Sequence, residues 1–375
     1  MKNSRQMVLC GVAILLLFGP LMAGAAEWKA GDWTLSLGGT LRVSYNEEEC
    51  DSACENIWRN ADLDSVPEDQ PSDYLSMNIS QFAVSGSRMM DSGMNAVFKT
   101  EWRVDTPDNQ NETTFHNYEQ YIGVDAKWGL LRVGTIETPY MQTGALLDPF
   151  YSDALSSRFF VDIQSALHHN NGKGRGRSTN TLRYDSPLSK GGFTAQFFTG
   201  LDNSEDSDNS YGVGFIYTSK KMTWFAQYYN NGESGDDEAY KIGGKIGSGS
   251  FSVFGQYEFD KGLISLAENL SALGSEDENT AEGDNTYEDN HTTGADVWFL
   301  GASYKMGKIM LIYEYGERKD SDHGREKDDG HTGWVLGLSV HLDKYVYIYT
   351  GYLEKEFNDD RDKDTRYTVG ATLRF

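Results

Sequence analysis

The chain has 375 residues and carries 33 Lys and Arg against 57 Asp and Glu, which gives a formal net charge of −24 at pH 7. So acidic a protein lacks the basic stripe that nucleic-acid binding requires, and the charge excludes that class of partner. Hydrophobic residues make up only 38%, whereas the chain has 22 Tyr and 40 Gly. This composition is poor for a large apolar core and is typical of strands.

The first predicted element is a secretory signal peptide at residues 1–25. Lys2 and Arg5 precede an apolar run that extends from Met7 to about Met22, and small residues follow in 23–25. A positive region, a short apolar run and a small-residue cleavage site define such a leader, with cleavage after Ala25 or Ala26. The mature chain, 26–375, contains no run near the ~20 apolar residues of a membrane helix.

Two cysteines follow the first strand of the mature chain, in the sequence CDSAC. In an oxidising compartment Cys50 and Cys54 would close a small disulfide loop. A metal site needs more ligands than this pair supplies. We therefore expect a local staple and no metal centre there.

Alternation of apolar and polar residues recurs from residue 33 to the end, and period two is the pattern of half-buried strands. It predicts about sixteen strands, near 33–45, 76–87, 94–104, 114–124, 129–136, 179–185, 192–200, 210–218, 222–230, 239–246, 250–259, 296–305, 308–316, 332–341, 345–354 and 365–375.

The connections between these strands alternate between short and long. The long ones lie near 46–75, 105–113, 137–178, 201–209, 231–238, 260–295, 317–331 and 355–364. Short turns at one end and long loops at the other are the pattern of an outer-membrane β-barrel, with the short turns on the periplasmic side. An even strand number lets the last strand pair with the first, which removes both sheet edges. We predict an all-β, 16-stranded antiparallel transmembrane barrel.

The last strand places apolar residues at every second position from Tyr367 to Phe375. Taken alone, it could be an edge strand of a β-sandwich. A sandwich, however, gives no reason for long loops at one end only. The apolar face is therefore predicted to contact lipid, and aromatic residues near strand ends, such as Trp33, Tyr45 and Tyr345, are predicted to lie at the membrane interfaces.

Four segments resemble the general, trimeric diffusion porins of Gram-negative bacteria. They are LSLGGTLRVSY (35–45), FAVSGSRMMDSGMNAVFKTEW (82–102), WGLLRVGTIETPYMQTGALLDPF (128–150) and RSTNTLRYDSP with GGFTAQFF (177–198). The resemblance covers essentially the whole mature chain, although Gly134-Thr135 stands where many members carry Gly-Arg. It implies a homotrimer in the outer membrane, a third loop folded into the pore, and Phe375 as the signal read by the barrel-assembly machinery.

The lumen of such a channel selects solutes through the charges on its wall. Alternation places Lys99, Glu101, Lys241, Lys245 and Glu258 on the lumen wall. A constriction is predicted where the loop 137–178 faces basic wall residues, and its members are Arg42, Arg103, Arg177 and Arg183 opposite Asp148 and Asp153. Opposite charges across a narrow gap would create a transverse field. Alternatively, these arginines pair with carboxylates and fix the loop.

No catalytic constellation and no cofactor are predicted. The acidic stretches lie mainly in the long outer loops, where they would be solvated. Their carboxylates could bind Ca²⁺ or Mg²⁺ loosely and so join the layer of lipopolysaccharide and outer-membrane lipid. A basic throat favours anions and acidic outer loops attract cations, so the sequence predicts weak selectivity that leans toward anions at the throat.

The sequence thus predicts an outer-membrane porin for passive diffusion of ions and small hydrophilic solutes. One alternative is a substrate-selective channel for phosphate or another anion, with a basic ladder of Lys173, Arg175, Arg177 and Arg183. A second alternative, from another class, is a closed barrel that acts as an adhesin or a structural anchor. The selective channel should be blocked by its anion, and the anchor should not conduct.

Overall fold

A computed structural model describes residues 26–49, 73–76, 79–104, 115–161, 163, 177–201, 209–230, 238–261, 295–320, 330–358 and 363–375. The predicted signal peptide and the Cys50–Cys54 pair lie outside these residues. No helix in the described part of the chain is long and apolar enough to cross a membrane.

The described residues form strands and two short helices. The strands are β1 (Ala26–Ala30), β2 (Trp33–Glu49), β3 (Asp73–Ser76), β4 (Gln81–Met89), β5 (Asn95–Val104), β6 (Phe115–Ala126), β7 (Gly129–Glu137), β8 (Arg177–Asp185), β9 (Phe193–Gly200), β10 (Ser210–Thr218), β11 (Met222–Asn230), β12 (Glu238–Ser248), β13 (Phe251–Lys261), β14 (Val297–Met306), β15 (Ile309–Arg318), β16 (His331–His341), β17 (Val346–Phe357) and β18 (Asp364–Arg374). The helices are α1 (Pro139–Gly144) and α2 (Ser157–Phe160).

Sixteen of these strands, β2 and β4–β18, form a closed antiparallel barrel. Each strand pairs with its neighbour in sequence, and the last strand pairs with the first, with Leu373 opposite Leu41. The chain end completes this seam, because the Phe375 N–H donates to the Gly39 carbonyl (3.0 Å) and Gly39 donates back to Phe375 (2.8 Å). The predicted sixteen-stranded barrel is confirmed.

Two short strands on β2 were not predicted. β1 forms a hairpin with the periplasmic part of β2, with Ala30 opposite Trp33. β3 pairs with the outer part of β2, whereas β4 pairs with its lower part, Trp33–Thr40. The second predicted strand, 76–87, is therefore two pieces, and each piece covers a different length of β2.

The two faces of each strand differ as alternation predicts. On β2 the side chains of Leu41, Val43 and Tyr45 are 37%, 41% and 40% exposed, whereas Arg42 and Ser44 between them are buried. On β18 the apolar side chains at 367, 369 and 373 are likewise exposed. In a barrel this outward apolar face contacts lipid, and the polar face lines the interior.

The third long connection folds inside the barrel and supplies its core. We call residues 138–163 the inner loop. Its apolar side chains Leu147, Phe150, Leu155, Phe160, Val161 and Ile163 pack against inner-face residues of β10, β11 and β13–β17. Helix α1 contacts β9, β10 and β11, whereas α2 contacts β16 and β17. The loop therefore lies along one long arc of the wall.

Glycines on the inner wall let the loop approach closely. A Cβ added at Gly337 of β16 would lie 2.5 Å from the Phe150 ring, and one at Gly351 of β17 would lie 2.5 Å from Leu155. A side chain at either position would occupy the space that the loop fills. The absence of side chains on this part of the wall thus makes the docking surface.

Candidate pore constriction

The inner loop is joined to the wall by an ion pair between Asp153 and Arg42 of β2. The Arg42 Nε lies 3.6 Å from Asp153 Oδ1. Asp153 also accepts hydrogen bonds from the Tyr347 hydroxyl of β17 (2.8 Å) and the Thr372 hydroxyl of β18 (3.5 Å). One carboxylate therefore links the loop to three strands that meet at the seam of the barrel. The structure brings together this predicted pair of opposite charges.

Burial raises the pKa of Asp153 to about 6, against the opposing effects of the Arg42 guanidinium and the Tyr347 hydroxyl. Removing a carboxylate from water disfavours its charged form. Its charge is therefore retained at neutral pH and lost under mildly acidic conditions. The ion pair with Arg42 depends on pH in the same range.

Asp148, the second predicted acid, serves the loop itself. It accepts hydrogen bonds from the backbone N–H groups of Phe150 (2.6 Å) and Ser157 (2.8 Å) and from the Ser157 hydroxyl (2.8 Å). Burial raises the pKa of Asp148, and the hydrogen bonds from Ser157 counteract this effect. These bonds connect the middle of the loop to the start of α2.

Arg183 of β8 holds the beginning of the inner loop. Its guanidinium donates to Asp185 on the same strand (2.8 Å from Nη2 to Oδ1) and to the Glu137 carbonyl (2.6 Å). Asp185 also pairs with Arg132 of β7. Both arginines are almost fully buried. The arrangement matches the alternative in which arginines pair with carboxylates to fix the loop.

The other predicted constriction arginines are placed differently. Arg103 lies on β5 and is half-buried. Its charge, after burial, contributes to lowering the pKa of Arg158 in α2, so these two cations lie near each other. Arg177 opens β8, but its side chain, like Lys173 and Arg175, lies outside the described residues.

The predicted lumen-wall charges all lie on the inner face. Lys99 pairs with Glu101 (3.1 Å) and with Glu119 of β6 (2.8 Å). Lys241 lies 3.9 Å from Glu258, and its ammonium is 4.2 Å from the centre of the Tyr140 ring in α1. Opposite charges are therefore adjacent along the wall.

Lys245 has a different environment. Its ammonium lies 5.3 Å from the centre of the Phe254 ring on the adjacent strand. Cation–π contact with an aromatic face stabilises a charge that is partly removed from water. The structure thus gives each predicted wall lysine a stabilising contact.

Sequence reasoning missed Arg366 of β18 as a loop contact. Its guanidinium donates to the Ala154 carbonyl of the inner loop (2.9 Å) and pairs with Glu48 of β2. The period-two pattern already places Arg366 on the inner face with Thr368 and Thr372. Its loop partner is a backbone carbonyl, which carries no sequence signal.

The accessible edge of the inner loop carries no charge. Among the described loop residues, those that remain at least partly exposed are Ala145, Leu146, Pro149, Ser152 and Phe159. Asp148 and Asp153 are buried. The loop therefore turns its carboxylates toward itself and the wall, and the transverse field that the sequence predicts would have to arise mainly from the wall.

No group of three or more His, Cys, Asp and Glu in the described ranges is arranged to hold a metal ion. Most of the acidic stretches to which loosely bound Ca²⁺ or Mg²⁺ was assigned lie outside those ranges.

A model of the family described as Gram-negative porin matches residues 11–360. The major outer membrane protein P.IB of Neisseria gonorrhoeae is 25% identical over 172 residues, which is 44% of this chain and 46% of that protein. The chain thus aligns with slightly less than half the length of this curated relative.

Solved structures share the fold over most of the chain. The anion-selective porin from Comamonas acidovorans superposes with a TM-score of 0.67 at 16% identity, and the match covers 92% of this chain and 100% of that one. The trimer form of OmpT from Vibrio cholerae gives a TM-score of 0.59 at 13% identity, with 92% and 99% covered. The chain therefore belongs to the Gram-negative porin family and is a protein of the outer membrane.

Proposed function

We propose that the barrel is a water-filled channel for passive diffusion of ions and small hydrophilic solutes. The observation that carries this function is the inner loop, which is fastened inside the barrel along one arc of the wall. A loop held there by Asp153, Arg366 and Arg183 narrows the lumen and leaves a passage beside it. The charged inner face supplies the polar lining that hydrated solutes need.

At neutral pH the channel is weakly selective. Inner-face charges lie in compensated groups, such as Lys99 with Glu101 and Glu119, and Arg42 with Asp153. Paired charges create little net potential along a passage, because the contributions of the two signs cancel at short range. The name of the Comamonas relative favours an anionic preference as the second candidate. Unpaired positive charge at the throat would support it.

The functional unit is a homotrimer. The trimer form of the Vibrio cholerae protein supports this assembly, as does membership of the porin family. Each protomer would contain its own channel, because the barrel closes on itself through β2 and β18. Three conducting units per insertion event are the direct consequence.

The test is a planar-bilayer recording of the refolded mature protein across a potassium chloride gradient. Stepwise conductance that closes in three equal sublevels supports a trimeric channel, and the reversal potential gives the selectivity. Addition of phosphate then distinguishes a diffusion channel from a phosphate-selective one, because only the latter is blocked at low concentration. Protein that folds and inserts without conducting would overturn the proposal in favour of an adhesin or structural anchor.

A further inference from the structure

An apolar groove interrupts the outward face of the barrel across strands β11–β14. One transverse row of paired residues forms its floor, with Trp224 opposite Gly244, Gly244 opposite Gly255, and Gly255 opposite Leu300. The two glycines in the middle of this row have no side chain. The large flanking side chains, Trp224 and Leu300, therefore stand on either side of a gap two strands wide.

The neighbouring rows close the groove at its two ends. Ile246 and Val253 border it on the periplasmic side, and Tyr257 and Trp298 border it on the outer side. The groove encloses about 660 Å³. Outward-facing Ile246 and Leu300 are 58% and 56% exposed, so the groove opens on the surface that contacts lipid.

A cationic group lies at the outer end of the groove. The Tyr257 hydroxyl donates to Asp296 Oδ2 (2.7 Å), and the Lys319 ammonium contacts the Tyr257 oxygen (2.9 Å) and Asp296 Oδ2 (3.3 Å). Lys319 follows β15 directly, and its side chain is 50% exposed. The hydrogen bonds with Tyr257 and Asp296 raise the pKa of Lys319, so this lysine keeps its charge at the interface.

We propose that this groove is a specific site for one phosphorylated glycolipid of the outer leaflet. An acyl chain lies over Gly244 and Gly255, and a phosphate of the headgroup contacts Lys319. An ammonium has three donors, of which Tyr257 and Asp296 occupy two. The third is available to a phosphate oxygen. Charge and shape thus occur at the depths where the two parts of such a lipid lie.

The occupant follows from the position of the groove. The glycine floor is on the outward face of a barrel in the outer membrane, so acyl chains surround it. A neighbouring subunit could also cover an apolar face, but it would not require a cation fixed at the outer rim. Surface lysines near a membrane attract anionic lipid headgroups, which favours the lipid.

The chain offers a matched control for the cation. Lys261 contacts Glu238 (2.8 Å), which accepts a hydrogen bond from the Tyr228 hydroxyl (2.9 Å). This set repeats the chemistry of Lys319, Asp296 and Tyr257 on neighbouring strands, and Lys261 is 54% exposed. Neither Lys261 nor Tyr228 borders the groove. Only the set with Lys319 combines the cation with an acyl-chain site.

The experiment measures binding of purified lipopolysaccharide to the refolded trimer in detergent by native mass spectrometry. Lys319→Gln should weaken binding about fivefold, the change that corresponds to about 1 kcal/mol for one interfacial lysine. Val253→Trp fills the groove and should weaken binding about tenfold, since about two CH₂ groups lost from an apolar contact suffice for that change. Dephosphorylated lipopolysaccharide should bind wild type and Lys319→Gln equally.

Two controls separate a defined site from general lipid contact. Lys261→Gln removes the matched lysine, and Val369→Trp adds the same bulk to a lipid-facing residue of β18. Both should bind lipopolysaccharide as wild type does. Heat-modifiable migration reports folding, and Ile246→Trp replaces Val253→Trp if the latter does not fold.

Three results would overturn the site. Unchanged binding in Lys319→Gln and Val253→Trp would remove it. Equal weakening in both controls would mean general lipid contact. A change of oligomeric state in Val253→Trp with lipid binding intact would mean a subunit contact. Conductance should stay at the wild-type value in all four variants, so the outcome is independent of the channel proposal.

Discussion

Arg42 of β2 and Asp153 of the inner loop form an ion pair in which both side chains are almost fully buried, 5% and 1% exposed. β2 is the first strand of the closed barrel, and its partner β18 supplies Thr372 to the same carboxylate. The contact that positions the loop therefore lies on the seam where the barrel closes. Loop position and barrel closure are coupled through one aspartate.

The first prediction concerns pH. Because the pKa of Asp153 is raised to about 6, acidification from pH 7 to 5 should neutralise it and leave the positive charge of Arg42 uncompensated. The reversal potential in a potassium chloride gradient should then shift toward anion preference. Asp153→Asn should show the acidic value at both pH 5 and pH 7. An unchanged pH dependence in this variant would assign the shift to another group.

The same group has a defined effect on stability. A raised pKa means that the folded state binds the proton more tightly than the unfolded state, whose value is near 3.8. The stabilisation from this proton is complete below the unfolded value and is lost as pH rises through about 6. In Asp153→Asn, the slope of unfolding free energy against pH should change between these two values.

The second prediction concerns Arg366, which links Glu48 to the Ala154 carbonyl. Arg366→Met keeps an apolar stem but leaves Glu48 buried without its partner, and breaking such a pair costs about 3–5 kcal/mol. We expect a lower urea midpoint and noisier open-channel current, because the loop loses one attachment. The double variant Arg366→Met, Glu48→Gln should recover part of the stability. Equal noise in wild type and the single variant would contradict this role.

The third prediction concerns the glycine surface under the loop. Gly337→Val places atoms where the Phe150 ring lies, since even a Cβ would approach it to 2.5 Å. We expect the loop to move into the lumen, with a lower single-channel conductance and a loss of about 1–3 kcal/mol from overpacking. Gly247→Ala is the control, because its nearest neighbour would be the Ser252 hydroxyl at 3.3 Å. A wild-type conductance in Gly337→Val would show that the loop yields elsewhere.

The fourth prediction concerns the chain end. Deletion of Phe375 removes two backbone hydrogen bonds to Gly39, which are worth about 1 kcal/mol each. The deletion should lower the yield of heat-modifiable barrel and the stability of what folds. Phe375→Tyr retains the backbone and the ring and should fold as wild type does. Comparable folding of the deletion variant would separate closure from the terminal residue.

The strands could be predicted because lipid and lumen impose opposite polarity on alternate residues. Leu41, Arg42 and Val43 already show this pattern, and the structure places them accordingly. The break between β3 and β4 could not be predicted, since it depends on how much of β2 each piece covers. Local alternation contains no information on that division.

The loop contacts were only partly predictable. Arg183 and Asp185 are two residues apart on one strand, so the sequence already placed them on the same face, and their pairing was accessible. Asp148 and Asp153 look equivalent in sequence. Backbone turns decide that Asp148 caps the loop while Asp153 reaches Arg42, and such turns arise from packing with distant strands.

The hydrogen bonds between Gly39 and Phe375 join the two most distant parts of the barrel. Every other strand pair of the barrel connects neighbours in sequence and can form as the chain emerges. The seam has to wait for the last residue, and bringing ends together across the whole chain carries the largest loop-closure entropy. Contacts of such high sequence separation slow folding. Barrel closure is therefore a final, all-or-none event, and until then two open strand edges remain exposed.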